Sequence, residues 1–162
     1  MAQVTQNKIR DHARDLVNKL ASVGHFDEAS SRPIIFVVHS LGRIVCKDAL
    51  QVSTSSAEPH LQAIVALTHA ILFAATPHEG SSIARWAKIP ASAFGIIKTN
   101  VNLLTILQTT SEVRDRIQDD FLSLIRKRQS HDPPLEITCL FETLDTFSFA
   151  TVVPEKSAVL PG

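Results

Sequence analysis

The sequence predicts an α/β fold with a mainly parallel sheet, and three observations predict it. Ile34–Val38 is an unbroken apolar run rich in β-branched residues, which reads as a strand buried on both faces. Ala70–Ala75 and Leu135–Phe141 are two further runs of strand type. Segments with apolar residues at helical spacing precede and separate these runs, the alternation expected of a parallel sheet covered by helices.

The elements follow in order. Ile9, Ala13, Leu16, Val17 and Leu20 mark one face of a helix over residues 6–22. Lys8, Arg10, Arg14, Asp15 and Lys19 fall mainly off that face, and His12 joins them as a surface residue. Ser22–Ser31, with Gly24, reads as a polar loop feeding the first strand. From Leu41 the pattern turns helical through Ile44, Val45, Ala49 and Val52, and Ser53–Pro59 is expected to be a loop. After Ala70–Ala75, Ser81 or Ser82 can cap a helix to Ala87, and Val101, Leu104 and Leu107 suggest a short amphipathic one. Thr110 or Ser111 caps a longer helix with Val113, Ile117, Phe121, Leu124 and Ile125 on one face. Glu112 at its start and Arg126-Lys127-Arg128 at its end suit the helix dipole. His131-Asp132-Pro133-Pro134 stops it, and Thr151–Pro154 is expected as a fourth strand.

Composition narrows the function. The chain has 162 residues, 44% hydrophobic and 20% charged, enough for one domain with a real core. Lys+Arg and Asp+Glu are both 16, so no basic face is implied and nucleic acid is not an expected partner. No stretch approaches the roughly 18–20 apolar residues of a membrane span. The start has no apolar leader segment. Cys46 and Cys139 sit in apolar surroundings and read as reduced core residues. An intracellular, cytoplasmic protein is the expectation. No His/Cys/carboxylate set has metal-ligand spacing, and no Gly-rich phosphate loop follows a strand, so neither a metal nor another cofactor is expected.

The chemistry concentrates at His39-Ser40-Leu41-Gly42. A strand, a tight turn carrying serine and a helix form the context of a nucleophile elbow. The bend exposes the Ser40 hydroxyl at the sheet's carboxyl edge, and the Leu41 N–H at the helix start can donate to a developing oxyanion. Thr76-Pro77-His78-Glu79 follows the second strand, also at a carboxyl end, where α/β sheets receive ligands. Glu142 ends the third strand, where the acid of a Ser-His-acid triad is expected, with Asp145 as the alternative.

RPIIFVVHSLGRIVCKDAL (32–50) resembles the elbow of lipase- and esterase-like α/β-hydrolases, whose pattern runs Gly-His-Ser-Leu-Gly-Gly. AILFAATPHEGSSIARWA (70–87) and the stretch from Leu140 to Gly162 are similar, in the same order, to fungal proteins related to serine-active-site-containing lipases, often fused to NACHT and repeat domains. The resemblance implies an α/β-hydrolase-like three-layer sandwich. Ser40 would be the acyl-forming nucleophile, Glu142 the acid and Leu41 the oxyanion donor. His39, Thr76, Pro77 and His78 would shape the pocket, and an ester or lipid-like molecule would be the substrate. Relatives in that family are linked to mitochondria and the endoplasmic reticulum, an alternative location.

Val38 and Arg43 stand where the family has Gly or another small residue, and overpacking of about 1–3 kcal/mol is expected there. No histidine follows His131, although the triad histidine should come after the fourth strand. Residues 1–162 therefore read as part of a hydrolase domain, truncated at both ends. It lacks the first strands with their oxyanion loop and the histidine-bearing segment. Two functions follow: a serine hydrolase domain inactive in this chain alone, or a degenerate one serving as a non-catalytic interaction or sensor module.

Overall fold

The computed structural model describes residues 2–26, 31–39, 42–74 and 111–140. The described elements are α1 (Ala2–Phe26), β1 (Ile34–His39), α2 (Gly42–Ser55), α3 (Pro59–Leu67), β2 (Thr68–Ala74), α4 (Ser111–Arg128) and β3 (Glu136–Leu140). The strands form a three-stranded sheet in the order β1-β2-β3. Both pairings are parallel. The fold is therefore α/β. Parallel neighbours need a crossover of a dozen residues or more, and α2 with α3 supplies the one from β1 to β2.

Register sets which side chains share a face. Phe36 pairs with Ile71 and Val38 with Phe73; Ile71 pairs with Ile137 and Phe73 with Cys139. These residues meet Cys46 and Leu50 of α2, and Phe121, Leu124 and Ile125 of α4, in the main core. Phe73 and Phe121 pack edge to face, ring centroids 6.0 Å apart, a geometry aromatic pairs prefer. Ala13 and Val17 of α1 meet Ala49 of α2 and Ile64 of α3 in a second cluster. Ile9, Ile44, Val113 and Ile117 join the beginnings of α2 and α4.

The alternate positions of β1 do not match the expectation of burial on both faces. Ile35 is 65% and Val37 72% exposed. All described helix packing falls on the other face, so β1 alternates like a strand covered on one side. The second helical layer of a three-layer sandwich is not among the described residues.

Two expected loops begin later than predicted, for one reason. Ser22 donates to the Asn18 carbonyl at 2.9 Å, and α1 runs on to Phe26. Thr54 and Ser55 donate to the Leu50 and Gln51 carbonyls at 2.8 Å each, and α2 runs on to Ser55. A hydroxyl that bonds back four residues is accommodated within a helix. The expected helices over 81–87 and 101–107 and the strand over 151–154 lie outside the described residues.

Val38 is buried. It belongs to the main core, and a Cβ placed on Gly42 would stand 3.6 Å from Val38 Cγ1, ordinary van der Waals contact. Ser40 and Leu41, in the turn that such overpacking would strain, lie outside the described residues.

Candidate active site

The candidate site is framed by strand ends. His39 closes β1, Ala74 closes β2 and Leu140 closes β3, and the register pairs His39 with Ala74 and Ala74 with Leu140. The three carboxyl ends thus stand in one rank across the sheet. α2 begins at Gly42, three residues past the last residue of β1. His39 is exposed and shares the strand parity of Ile35 and Val37. The other predicted site residues, Ser40, Leu41, Thr76, Pro77, His78 and Glu142, lie outside the described residues, as do Glu79 and the alternative acid Asp145.

Behind this edge stands α2, the most enclosed of the described helices. It packs against α1, α3, α4 and β1. Its charged residues Arg43, Lys47 and Asp48 are all buried. A helix surrounded on nearly every side has no solvated face to give them.

Each charge is handled differently. Asp48 accepts a hydrogen bond from Arg10 Nη1 at 2.6 Å, so Arg10 is not the solvated residue its position on α1 suggested. Lys47 Nζ donates to Gln118 Oε1 at 2.5 Å. It also lies 5.2 Å and 5.0 Å from the ring centroids of Phe73 and Phe121, within cation–π range. Burial, reinforced by the Arg43 charge, pushes the Lys47 ammonium down to about 7. Burial and then the Arg114 charge lower Arg43 to about 10, so it stays cationic at neutral pH.

Other polar groups stitch the layer together. Ser53 Oγ donates to the Leu61 carbonyl at 2.6 Å and accepts from the Val65 N–H at 2.9 Å, tying α2 to α3. Arg128 donates to the Thr68 carbonyl at 2.9 Å, so the basic end of α4 anchors that helix to the start of β2. Cys46 and Cys139 form no disulfide among the described residues, and burial pushes the Cys46 thiol up to about 12, which leaves it inert. Among the described residues no cluster of His, Cys, Asp or Glu could hold a metal ion, and no helix is long and apolar enough to cross a membrane.

No family model and no solved structure matches the chain. It is 28% identical over 168 residues to Protein SERAC1 of Mus musculus, an alignment covering 96% of this chain and 22% of that protein. Protein SERAC1 of Homo sapiens is 26% identical over the same shares. Protein SERAC1 of Danio rerio is 25% identical over 152 residues, covering 91% of this chain and 21% of the relative. The chain spans about a fifth of the length of the curated relatives it matches. These matches carry no sign of a fungal origin or of fusion to NACHT and repeat domains. The chain is thus an α/β unit similar to one segment of Protein SERAC1, which fits the hydrolase-like resemblance of its motifs.

Proposed function

We propose that this segment carries the nucleophile of a serine hydrolase of lipase or carboxylic-ester type, with Ser40 forming the acyl-enzyme. The observation that carries the reading is the common rank of the strand ends His39, Ala74 and Leu140. Ser40 is one residue past the first, Thr76 two past the second and Glu142 two past the third. Neighbouring strands lie about 4.8 Å apart, so β1 and β3 stand roughly 10 Å apart across β2. That gap suits a serine and a carboxylate with one imidazole between them.

In the proposed reaction Ser40 Oγ attacks the ester carbonyl carbon and its proton passes to an imidazole. Glu142 orients that ring, and the N–H of Leu41, the residue before Gly42, receives the oxyanion. The imidazolium then protonates the departing alkoxide, and water cleaves the acyl-serine. His39, Thr76, Pro77 and His78 line the approach of an ester or lipid-like substrate. No nucleic acid has a role.

No histidine stands between Glu142 and Gly162, the stretch where the proposed order of nucleophile, acid and histidine would place it. The chain alone is therefore expected to hydrolyse a short-chain nitrophenyl ester no faster than its Ser40→Ala variant. Added imidazole should open a difference between the two, because the variant subtracts imidazole's own background. Equal rates throughout would contradict the assignment.

One observation favours a second reading, a degenerate hydrolase domain acting as a non-catalytic interaction or sensor module. Arg43, three residues past Ser40, buries its side chain where the resembling family has glycine.

A further inference from the structure

The beginnings of α2 and α4 create a positively charged hollow that the proposed reaction does not use. Both helices run from the carboxyl edge of the sheet towards its amino edge: α2 leaves the end of β1, and α4 leads into β3. Their first turns lie side by side, joined by Ile44, Val113 and Ile117. Arg43 and Lys47 are four residues apart on α2, and Arg114 and Gln118 four apart on α4, so each pair lies on one helix face. The two pairs line a cavity of about 50 Å³. A cavity needs only about 10–15 Å³ to hold one water, so this one admits an ion of a few atoms.

The donors around it are unsatisfied. Arg43 Nε, Arg114 Nε and Gln118 Nε2 are buried without a hydrogen-bond partner among the described residues. Arg43 is only 7% exposed, so bulk solvent reaches little of it. Asp115 also lines the cavity, but neither Arg43 nor Arg114 forms an ion pair with a carboxylate among the described residues. Buried donors are ordinarily paired, and buried like charges ordinarily have a counter-charge. Two helix N-termini add their positive ends on the same side.

We propose that this hollow between α2 and α4 binds an oxyanion of the phosphate class, either free phosphate or the head of a small phosphomonoester. Arg43 and Arg114 would supply guanidinium donors to two of its oxygens, Gln118 Nε2 would donate to a third, and Lys47 would add charge. Guanidinium groups match such an anion in both geometry and charge. The anion would relieve the repulsion between Arg43 and Arg114, neither of which is ion-paired with a carboxylate among the described residues. The site is independent of whether Ser40 reacts.

Thermal unfolding of the full chain in inorganic phosphate, against chloride at matched ionic strength, tests this. Phosphate is expected to raise the midpoint saturably, and Arg43→Gln to weaken half-saturation about tenfold or more. Arg114→Gln, on a half-buried residue, should weaken it likewise and guards against a misfolded Arg43 variant. Arg126→Gln, exposed at the far end of α4, should leave the response intact. A glycerol phosphate arm separates the sources: an equal response marks the phosphate group alone as the ligand, and a stronger one marks a phosphomonoester. A midpoint that responds to phosphate no more than to chloride, or equally in wild type and both Arg variants, overturns the proposal.

Discussion

Lys47 and Asp48 are neighbours on α2, both nearly sealed from water, and the fold treats them in opposite ways. Asp48 has a full counter-charge in Arg10, reached from α1 at 2.6 Å. Lys47 has an amide oxygen and two aromatic faces, with a second cation, Arg43, nearby. On the α1 side the enclosed charge is neutralised; on the α4 side positive charge accumulates. The same helix is a closed structural joint on one side and an open electrostatic site on the other.

The largest expected effect comes from breaking the neutral side. Arg10→Leu leaves a carboxylate whose side chain is only 7% exposed without its partner. Removing one member of a buried pair costs about 3–5 kcal/mol. The partly exposed position of Arg10, at 33%, puts the expectation near the lower end, at roughly 3 kcal/mol in urea unfolding. Adding Asp48→Leu should recover much of that loss, since the orphaned charge goes with it. A double variant less stable than Arg10→Leu would show that packing, not charge, holds this joint.

The opposite side responds to pH. The folded-state value of Lys47 lies near 7 and its ordinary value is 10.5, so between them the unfolded chain binds more protons. Stability therefore rises with pH across that window, and below pH 7 the cost of burying the charge is fully present. Measured against Lys47→Met, wild type should gain roughly 1–3 kcal/mol from pH 7 to 9. Parallel pH profiles for the two proteins would contradict this.

The smallest effect is expected on the open face of β1. Val37→Thr keeps β-branching at a position 72% exposed and should change stability by less than about 0.5 kcal/mol. A large loss would mean that the face is covered.

The same contrast explains what could be read from the sequence. β1, β2, α4 and β3 were legible because apolar runs and helical spacing reflect which faces are buried, and Val113, Ile117, Phe121 and Leu124 are indeed the buried stripe of α4. α3 was missed: it is nine residues long and fully buries only Ile64, too little for a periodic signal. The burial of Arg43, Lys47 and Asp48 was missed because periodicity assumes one wet face, and α2 is packed on nearly all sides. The reading of β1 failed the opposite way, since Ile35 and Val37 are apolar without being covered. The strand ends that frame the candidate site were legible to within a residue or two. Ser40, Leu41 and Glu142 remain sequence assignments.

Labelling with a fluorophosphonate probe, with the modified residue mapped by mass spectrometry, tests the central claim most directly. The expected result is a phosphonyl group on Ser40, formed slowly, faster with added imidazole and absent from Ser40→Ala. An unmodified Ser40 in both conditions would contradict the assignment and leave the non-catalytic module as the better description.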